Sequence, residues 1–443
     1  MTRRVILSIL VLMGVICLGF SALAAASLIF AANRSQVGQS ATPTATVEIP
    51  EVETVGNVPP AIAAQMDEIQ KQVITLRGLL PRQTISREML TPAELGEKVK
   101  SEFFAEYTPQ DAAEDAYELW ALGLLPENFD LIDLYTRLYS EQVAGFYDPK
   151  TKEMFVVGGD FGGVERMTYA HEFTHLLQDQ VYDLREGLKF DDQYCEEAPE
   201  RCAAVQSLVE GDASLAEQFW FLRHATEEDR GEIAQLAQTY ASPVFDSAPQ
   251  YLQDDFLFPY QRGMEFVQSI YDQGGWEAVN RAYENPPVTT EQILHPEKYP
   301  AEQGLPTSLP DLKNAAGNCT LISESGLGEW YLYLQMARGA QESWQQPETE
   351  ARRAAAGWGG DRYAVYRCET GPLVVHQIIW DSEKDATEYY QAFSVYLEKR
   401  FSPTEDNPAE TKTRLFVQQG SQTIYLSAPN ADQLLLLQQA FGL

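Results

Sequence analysis

Two histidines four residues apart, in the run His171-Glu172-Phe173-Thr174-His175, constrain the fold of this chain more than any other feature. In an α-helix, side chains at positions i and i+4 lie one above the other, so both imidazoles are aimed at one point. That arrangement matches two neighbouring corners of a tetrahedral Zn²⁺ site. The pattern therefore predicts a metal-binding helix, which we expect at about residues 165–182. The alternative interpretation is a helix with two exposed histidines.

Glu172 lies one step around this helix from His171, close enough to reach a water molecule on the metal. Zn²⁺ lowers the pKa of such a water to about 7. A neighbouring carboxylate can accept its proton during attack on a carbonyl and pass it to the leaving amine. We therefore predict Glu172 as the general base. Ala170, Phe173 and Leu177 make the other flank of the helix apolar, which predicts that it packs into the core.

A catalytic zinc ion has three protein ligands and one open position, so a third ligand must come from elsewhere. The candidates downstream are Asp179, Glu210, Asp212 and His224. We favour Glu210, which belongs to a second helical stretch, and keep Asp212 as the main alternative. Asp179 follows His175 by four residues and could instead orient an imidazole as its hydrogen-bond partner.

These segments together resemble the gluzincin metallopeptidases, the thermolysin-like zincins whose third ligand is a glutamate on a second helix. The resemblance covers roughly residues 140–300 and rests on Gly145-Phe146-Tyr147-Asp148, Met154-Phe155-Val156-Val157, the two-histidine motif and Glu210-Gly211. It implies a Zn²⁺ cofactor and a mixed sheet before the metal helix. It also implies that Lys152–Val157 is the edge strand, which would pair with an extended peptide substrate.

The chain departs from that family at Ser214, where thermolysin-like enzymes have an aspartate four residues after the third ligand. Asp212 and Asp179 are the remaining candidates for the partner of the first histidine. A peptidase of this type also needs a donor to the oxyanion that forms on the scissile carbonyl. We predict His295 for that catalytic role, with Tyr299 as an alternative donor. The competing interpretation of His295 is a surface-turn histidine before a proline.

The N-terminus predicts export. Arg3 and Arg4 precede an uncharged run from Val5 to Asn33, which is long enough to span a bilayer as a single N-terminal helix. Cleavage after a small-residue sequence such as Ala22-Leu23-Ala24 would instead give a secreted protein. Both outcomes place the remainder outside the cytoplasm. The formal net charge of −33 argues against nucleic acid as a partner.

Four cysteines follow the N-terminal segment, an even number that suggests disulfides in an oxidising compartment. Three pairings are possible. We favour Cys195–Cys202, because the two residues are close in sequence, and Cys319–Cys368.

The expected fold class is α+β, with a zincin-like metallopeptidase core that is mainly helical and has a small mixed sheet. We divide the chain into an anchor or signal segment (1–34), a Thr/Pro-rich linker (35–60), a metallopeptidase domain (61–312) and a C-terminal α+β domain (313–443). The last domain has the expected order β-β-α-β-β-α. The predicted function is hydrolysis of peptide bonds in peptides or proteins. The alternative is a catalytically inactive cell-surface binding or scaffold protein with the same fold.

Overall fold

The computed structural model describes residues 53–138, 145–157, 161–239, 241–402 and 413–443. The anchor expected at 1–34 and most of the expected linker lie outside these ranges. Within them, none of the helices combines the length and the apolar character that crossing a bilayer requires.

The chain forms two small sheets surrounded by helices, so it is an α+β protein as predicted. The strands are β1 (Thr54–Val55), β2 (Ile85–Leu90), β3 (Gly145–Asp148), β4 (Glu153–Val157), β5 (Thr320–Ser325), β6 (Trp358–Cys368), β7 (Gly371–Trp380), β8 (Arg414–Gln419) and β9 (Gln422–Ser427). The helices of the first two-thirds are α1 (Pro60–Arg77), α2 (Pro92–Glu106), α3 (Pro109–Leu122), α4 (Leu131–Leu138), α5 (Gly163–Tyr182), α6 (Asp192–Glu197), α7 (Pro199–His224), α8 (Glu227–Thr239), α9 (Pro243–Ser247), α10 (Gln250–Glu284) and α11 (Thr290–Leu294). The remaining helices are α12 (Lys313–Ala316), α13 (Gly328–Ala337), α14 (Glu348–Ala355), α15 (Glu383–Arg400) and α16 (Ala431–Phe441).

The first sheet has the strand order β1-β2-β4-β3 and is mixed, as predicted. β1, β2 and β4 are parallel, whereas β3 runs antiparallel to β4. The prediction that Lys152–Val157 forms the edge strand is wrong, because β2 pairs with the free side of β4 and leaves β3 at the edge. β1 also lies within the expected linker, so the end of that segment is part of the sheet.

Helix α1 covers one face of α5, the helix that carries the two-histidine motif. Its apolar positions Met66, Ile69 and Val73 belong to the same buried cluster as Met154 of β4 and Phe173 of α5. This is the stripe that residues spaced three and four apart produce on one side of a helix. Helix α5 therefore has a packed apolar face toward α1 and a separate polar face that carries the histidines.

Helices α7 and α10 cross at two glycines. A Cβ atom added to Gly211 would lie 2.2 Å from the backbone of Gly263, and one added to Gly263 would lie 2.2 Å from the carbonyl oxygen of Ser207. Only glycine permits backbones to approach this closely. The crossing fixes the position of α7, and with it Glu210, beside α10.

The second sheet is antiparallel, with the order β5-β6-β7-β9-β8. The predicted order β-β-α-β-β-α is present in residues 358–441, and β5 adds a strand that the sequence pattern did not predict. Disulfides join Cys195 to Cys202 and Cys319 to Cys368, which is the pairing expected.

The largest buried cluster of the described residues runs through both parts of the chain, since it contains Leu119 and Tyr251 as well as Tyr363 and Tyr389. Polar contacts cross the same region, and the Tyr363 hydroxyl donates to Glu118 at 2.5 Å. The boundary expected at 312–313 therefore does not coincide with a break in the core.

Candidate metal centre

Helix α5 buries the two-histidine motif. The helix begins after Gly162, whose backbone N–H donates to the Glu165 carboxylate at 3.0 Å, and it continues to Tyr182. His171 and His175 are only 1% and 9% exposed. Their rings lie 4.7 Å apart between centroids, on the side of the helix that faces α7. The interpretation of two exposed histidines is therefore wrong.

The structure brings His171, His175 and Glu210 together. The two Nε2 atoms are 3.0 Å apart, and Glu210 Oε2 lies 3.3 Å from the first and 3.4 Å from the second. Tetrahedral ligands about 2.0–2.1 Å from a zinc ion are separated from one another by about 3.3 Å. The three atoms thus form a nearly equilateral triangle of the size that a single zinc ion requires.

The remaining ring nitrogens face hydrogen-bond acceptors. His171 Nδ1 lies 3.1 Å from Glu217 Oε2, and His175 Nδ1 lies 2.8 Å from Gln178 Oε1. A carboxylate or amide oxygen accepts a hydrogen bond, so both rings carry hydrogen on Nδ1, which leaves Nε2 as the nitrogen available to a metal ion. Two imidazole lone pairs and a carboxylate oxygen then converge on one point. Such a set of donors fits a cation, and a two-His, one-Glu set is typical of zinc.

The electrostatics of the group lead to the same conclusion. Burial alone would raise the pKa of Glu210, but the charges of His175 and His171 and their hydrogen bonds lower it to about 2. Burial would lower the pKa of His175, yet the Glu210 carboxylate raises it above its usual value. Without a metal ion, the group therefore favours an ionised Glu210 paired with a protonated His175.

Glu172 lies beside this group, with its carboxylate directed at the edge strand. Its Oε2 accepts a hydrogen bond from the backbone N–H of Tyr147 at 2.9 Å. Burial raises the pKa of Glu172 above its usual value, although the imidazoles of His175 and His171 oppose the shift. A base with a pKa nearer neutrality is better suited to both accept and return a proton.

The carboxylates beside His171 are those of Glu210 and Glu217, so Asp212 and Asp179 do not have the roles of third ligand and direct histidine partner that were considered for them. Asp212 is paired with Arg77 at 2.6 Å, because two residues along a helix turn the side chain about 200° away from Glu210. Asp179 accepts hydrogen bonds from the Tyr147 hydroxyl and from Lys152 Nζ, both at 2.6 Å. His224 is exposed at the end of α7, fourteen residues from Glu210.

Sequence reasoning missed the partner of the first histidine, which is Glu217. This residue lies seven positions, or about two helical turns, after Glu210, and so on the same face of α7. The family position for this partner, four residues after the ligand, is Ser214 in this chain, and the predicted alternatives were Asp212 and Asp179. An acid at i+7 was the signal that could have identified it. Tyr260 of α10 was also missed, and its ring lies 6.2 Å from that of His171.

His295 is placed by the structure in a different environment. Its Nε2 pairs with Glu329 at 2.9 Å. Thr290, the first residue of the short helix α11 that ends just before His295, donates to Glu200 at the start of α7. Glu200 and Glu210 are separated by ten helical residues, or about 15 Å. These contacts engage the imidazole of His295 away from the metal group, and they give the predicted oxyanion role no support.

A second group of carboxylates in the described residues, Glu291, Glu302 and Asp381, also has ligand-like spacing. The ammonium group of Lys298 lies within it, at 2.7, 2.9 and 2.6 Å from these three side chains. Because the Lys298 ammonium group already pairs with all three carboxylates, the cluster does not compete with the histidine group as a metal site.

Comparison with known proteins adds little about activity. Residues 320–438 match a family described as a domain of unknown function, DUF8575. No curated protein matches the chain. A protein from Chloroflexus aurantiacus, described as a proposed hydrolase with a novel fold, is similar in structure, with 17% identity and a TM-score of 0.37 over 63% of this chain and 95% of that one. A similarity this low does not indicate a shared fold.

Proposed function

We propose that this protein is an extracytoplasmic zinc peptidase with a zincin-like core. The observation that carries the proposal is the triangle of His171 Nε2, His175 Nε2 and Glu210 Oε2, with sides of 3.0, 3.3 and 3.4 Å. Zn²⁺ held there would supply a Lewis acid that activates water for attack on a carbonyl. The two disulfides support a location outside the reducing cytoplasm.

Glu172 acts as the general base in this proposal. It accepts a proton from the attacking water, whose oxygen bonds to the carbonyl carbon of the substrate. The proton then passes to the amide nitrogen as the C–N bond breaks, which leaves a carboxylic acid and an amine. The hydrogen bond from the Tyr147 N–H restricts rotation of the Glu172 carboxylate.

The position of β3 favours an extended peptide as the substrate. In an antiparallel pair, alternate residues direct their backbone groups away from the partner strand. Tyr147 does so, because its N–H reaches Glu172 on the side opposite β4. Within the described residues no strand pairs with the outer side of β3, and the general base lies on that same side, where a substrate strand could extend the sheet.

The decisive experiment measures bound zinc and peptide cleavage by the full-length protein and its Glu172→Gln variant. Glutamine keeps an acceptor for the Tyr147 N–H but cannot take up a proton. We expect about one zinc ion per chain in both proteins and a fall in cleavage of an unbiased peptide mixture by about 10²–10⁴-fold in the variant.

The control is Glu228→Gln, which changes an exposed glutamate of α8 and should leave cleavage unchanged. Zinc-loaded wild-type protein that cleaves no peptide would favour the binding or scaffold function. A protein that purifies without stoichiometric zinc in the absence of chelators would contradict the metal site itself.

A further inference from the structure

A chain of buried hydrogen bonds extends from His175 to the first helix. His175 Nδ1 contacts Gln178 Oε1 at 2.8 Å, and Gln178 Nε2 donates to Asp212 Oδ2 at 3.0 Å. Asp212 is then bound by Arg77, the last residue of α1. Gln178, Asp212 and Arg77 are all inaccessible to solvent. This hydrogen-bond network thus connects His175 to a helix that begins more than a hundred positions earlier in the sequence.

The orientation of the Gln178 amide is determined by its other contacts. Its nitrogen lies 3.0 Å from the carbonyl oxygen of Val209 and 3.0 Å from Asp212 Oδ2, and both of these atoms can only accept. The NH₂ group must therefore face them, which leaves the amide oxygen facing His175. That oxygen requires hydrogen on Nδ1 of the ring, so Nε2 is directed at the metal position as a lone pair.

Asp212 in turn is fixed by a full set of donors. Arg77 Nε and Nη2 bind its two oxygens at 2.6 and 3.0 Å, and the Tyr283 hydroxyl donates at 2.7 Å. The Arg77 guanidinium also stacks 4.5 Å above the ring of Trp276. A bidentate guanidinium–carboxylate pair of this kind restricts rotation of the Asp212 carboxylate more than a single hydrogen bond would.

We propose that Arg77, Asp212 and Gln178 are positioning residues, and that they fix the tautomer and orientation of His175 so that zinc binds tightly. The inference rests on the proposed function for the identity of the metal. It makes α1 a structural part of the metal site, although none of its side chains reaches the three-ligand group.

A purely structural role explains this network less well. Burying an ion pair costs desolvation energy that often exceeds its Coulombic gain, so apolar residues would stabilise this region at least as well. A network that holds a metal ligand, in contrast, typically contributes about 10–100-fold to metal affinity.

The test compares two buried glutamines that are both replaced by methionine. Gln178→Met removes the acceptor for His175 without leaving a charge unpaired, since Asp212 keeps Arg77 and Tyr283. The matched control is Gln70→Met on α1, whose side-chain nitrogen donates to the Tyr169 hydroxyl at 2.7 Å. Zinc affinity of the full-length proteins is measured by competition with a chelator, and thermal unfolding is measured on the zinc-free proteins.

We expect Gln178→Met to weaken zinc binding by about 10–100-fold and to alter the absorption spectrum of the Co²⁺-substituted protein. Gln70→Met should bind zinc as the wild type does, while the two variants unfold at similar temperatures. A second pair, Arg77→Lys and Arg87→Lys, tests the far end of the network. Arg87 pairs with Asp67 at 2.7 Å outside it, so only Arg77→Lys should weaken zinc binding.

Equal zinc affinity in wild type and Gln178→Met, or equal losses in Gln178→Met and Gln70→Met, would overturn the inference. Wild-type protein that binds one zinc ion without cleaving peptides would refute the peptidase proposal, and the affinities would still decide the role of the network. Failure of the wild type to bind zinc would refute both.

Discussion

Two glutamates on helix α7 differ sharply, although only ten residues separate them. Glu210, near the middle of the helix, has a pKa lowered to about 2. Glu200, at the start, has a pKa raised to about 8. At neutral pH the first is therefore a carboxylate, whereas the second is mostly a neutral acid.

The difference comes from the partners of each side chain. Burial raises the pKa of both, but Glu210 faces two imidazoles, and their charges more than offset that cost. The Glu200 carboxyl packs beneath Gly328, where an added Cβ would lie 2.1 Å from its Oε2. Its donors there are the N–H and hydroxyl of Thr290, at 2.6 and 2.7 Å, and the negative charge of Asp361 opposes ionisation.

This comparison shows why one part of the helix is suited to a metal and the other is not. A carboxylate has to be ionised to bind a divalent cation. Glu210 meets that condition before any metal arrives, since two imidazoles hold it charged. Glu200 would first have to lose a proton. The negative charge of Asp361 opposes that loss, and neither His171 nor His175 lies beside Glu200 to favour it.

The largest effect should follow from Glu210→Gln, which removes a charged ligand. Structural zinc sites bind with about 10–16 kcal/mol, so loss of one of three ligands should weaken binding by roughly 1000-fold or more. Chelator competition on the full-length protein measures this change, and Glu200→Gln is the matched control from the same helix. Similar zinc affinities for the two variants would remove the distinction drawn between these acids.

A smaller effect is expected from Glu200→Gln on the pH dependence of stability. A folded pKa of about 8 against the ordinary 4.5 means that folding is favoured below pH 4.5 and that this contribution is lost as the pH rises through 8. The full shift corresponds to about 5 kcal/mol, which partial exposure of the side chain reduces to about 3 kcal/mol.

Glutamine cannot ionise, so Glu200→Gln should be more stable than wild type above pH 8 and nearly equal to it near pH 4. Urea unfolding at fixed zinc concentration from pH 4 to pH 9 measures the difference. The exposed Glu197→Gln is the control and should follow the wild-type curve. Parallel curves for Glu200→Gln and wild type would mean that Glu200 is ionised in the folded protein at neutral pH.

Local sequence pattern was sufficient to predict helix α5 and the position of its two histidines. The i, i+4 spacing of His171 and His175 and the helical stretch around Glu210 depend only on helix geometry, and the structure brings these three residues together. The antiparallel pair β3–β4 is local in the same sense, because its two short runs flank the turn at Asp148-Pro149-Lys150-Thr151.

Contacts between distant segments could not be predicted in this way. The edge strand was assigned wrongly because β2, with Arg87 and Glu88 in its centre, lacks the alternation that marks a strand. Likewise, Arg77 lies 135 residues before Asp212, and no periodicity connects them. Their pairing depends on how α1 packs against α5 and α7, which is a property of the whole fold.

The smallest effect should come from Glu217→Gln. This variant tests whether Glu217, seven residues after Glu210, takes the place of the aspartate that the family has at the position of Ser214. Glutamine retains an oxygen that can accept from His171 Nδ1, now 3.1 Å from the Glu217 carboxylate, but it removes the negative charge that makes the imidazole a stronger ligand. We expect zinc affinity to fall by about 10–100-fold, less than in Glu210→Gln, with Glu228→Gln unchanged in the same chelator assay. If Glu217→Gln binds zinc as tightly as wild type, the charge of Glu217 contributes nothing to the ligand. Glu210 would then be the only acid of α7 whose charge matters for zinc, and an uncharged hydrogen-bond acceptor would be enough to orient the His171 ring.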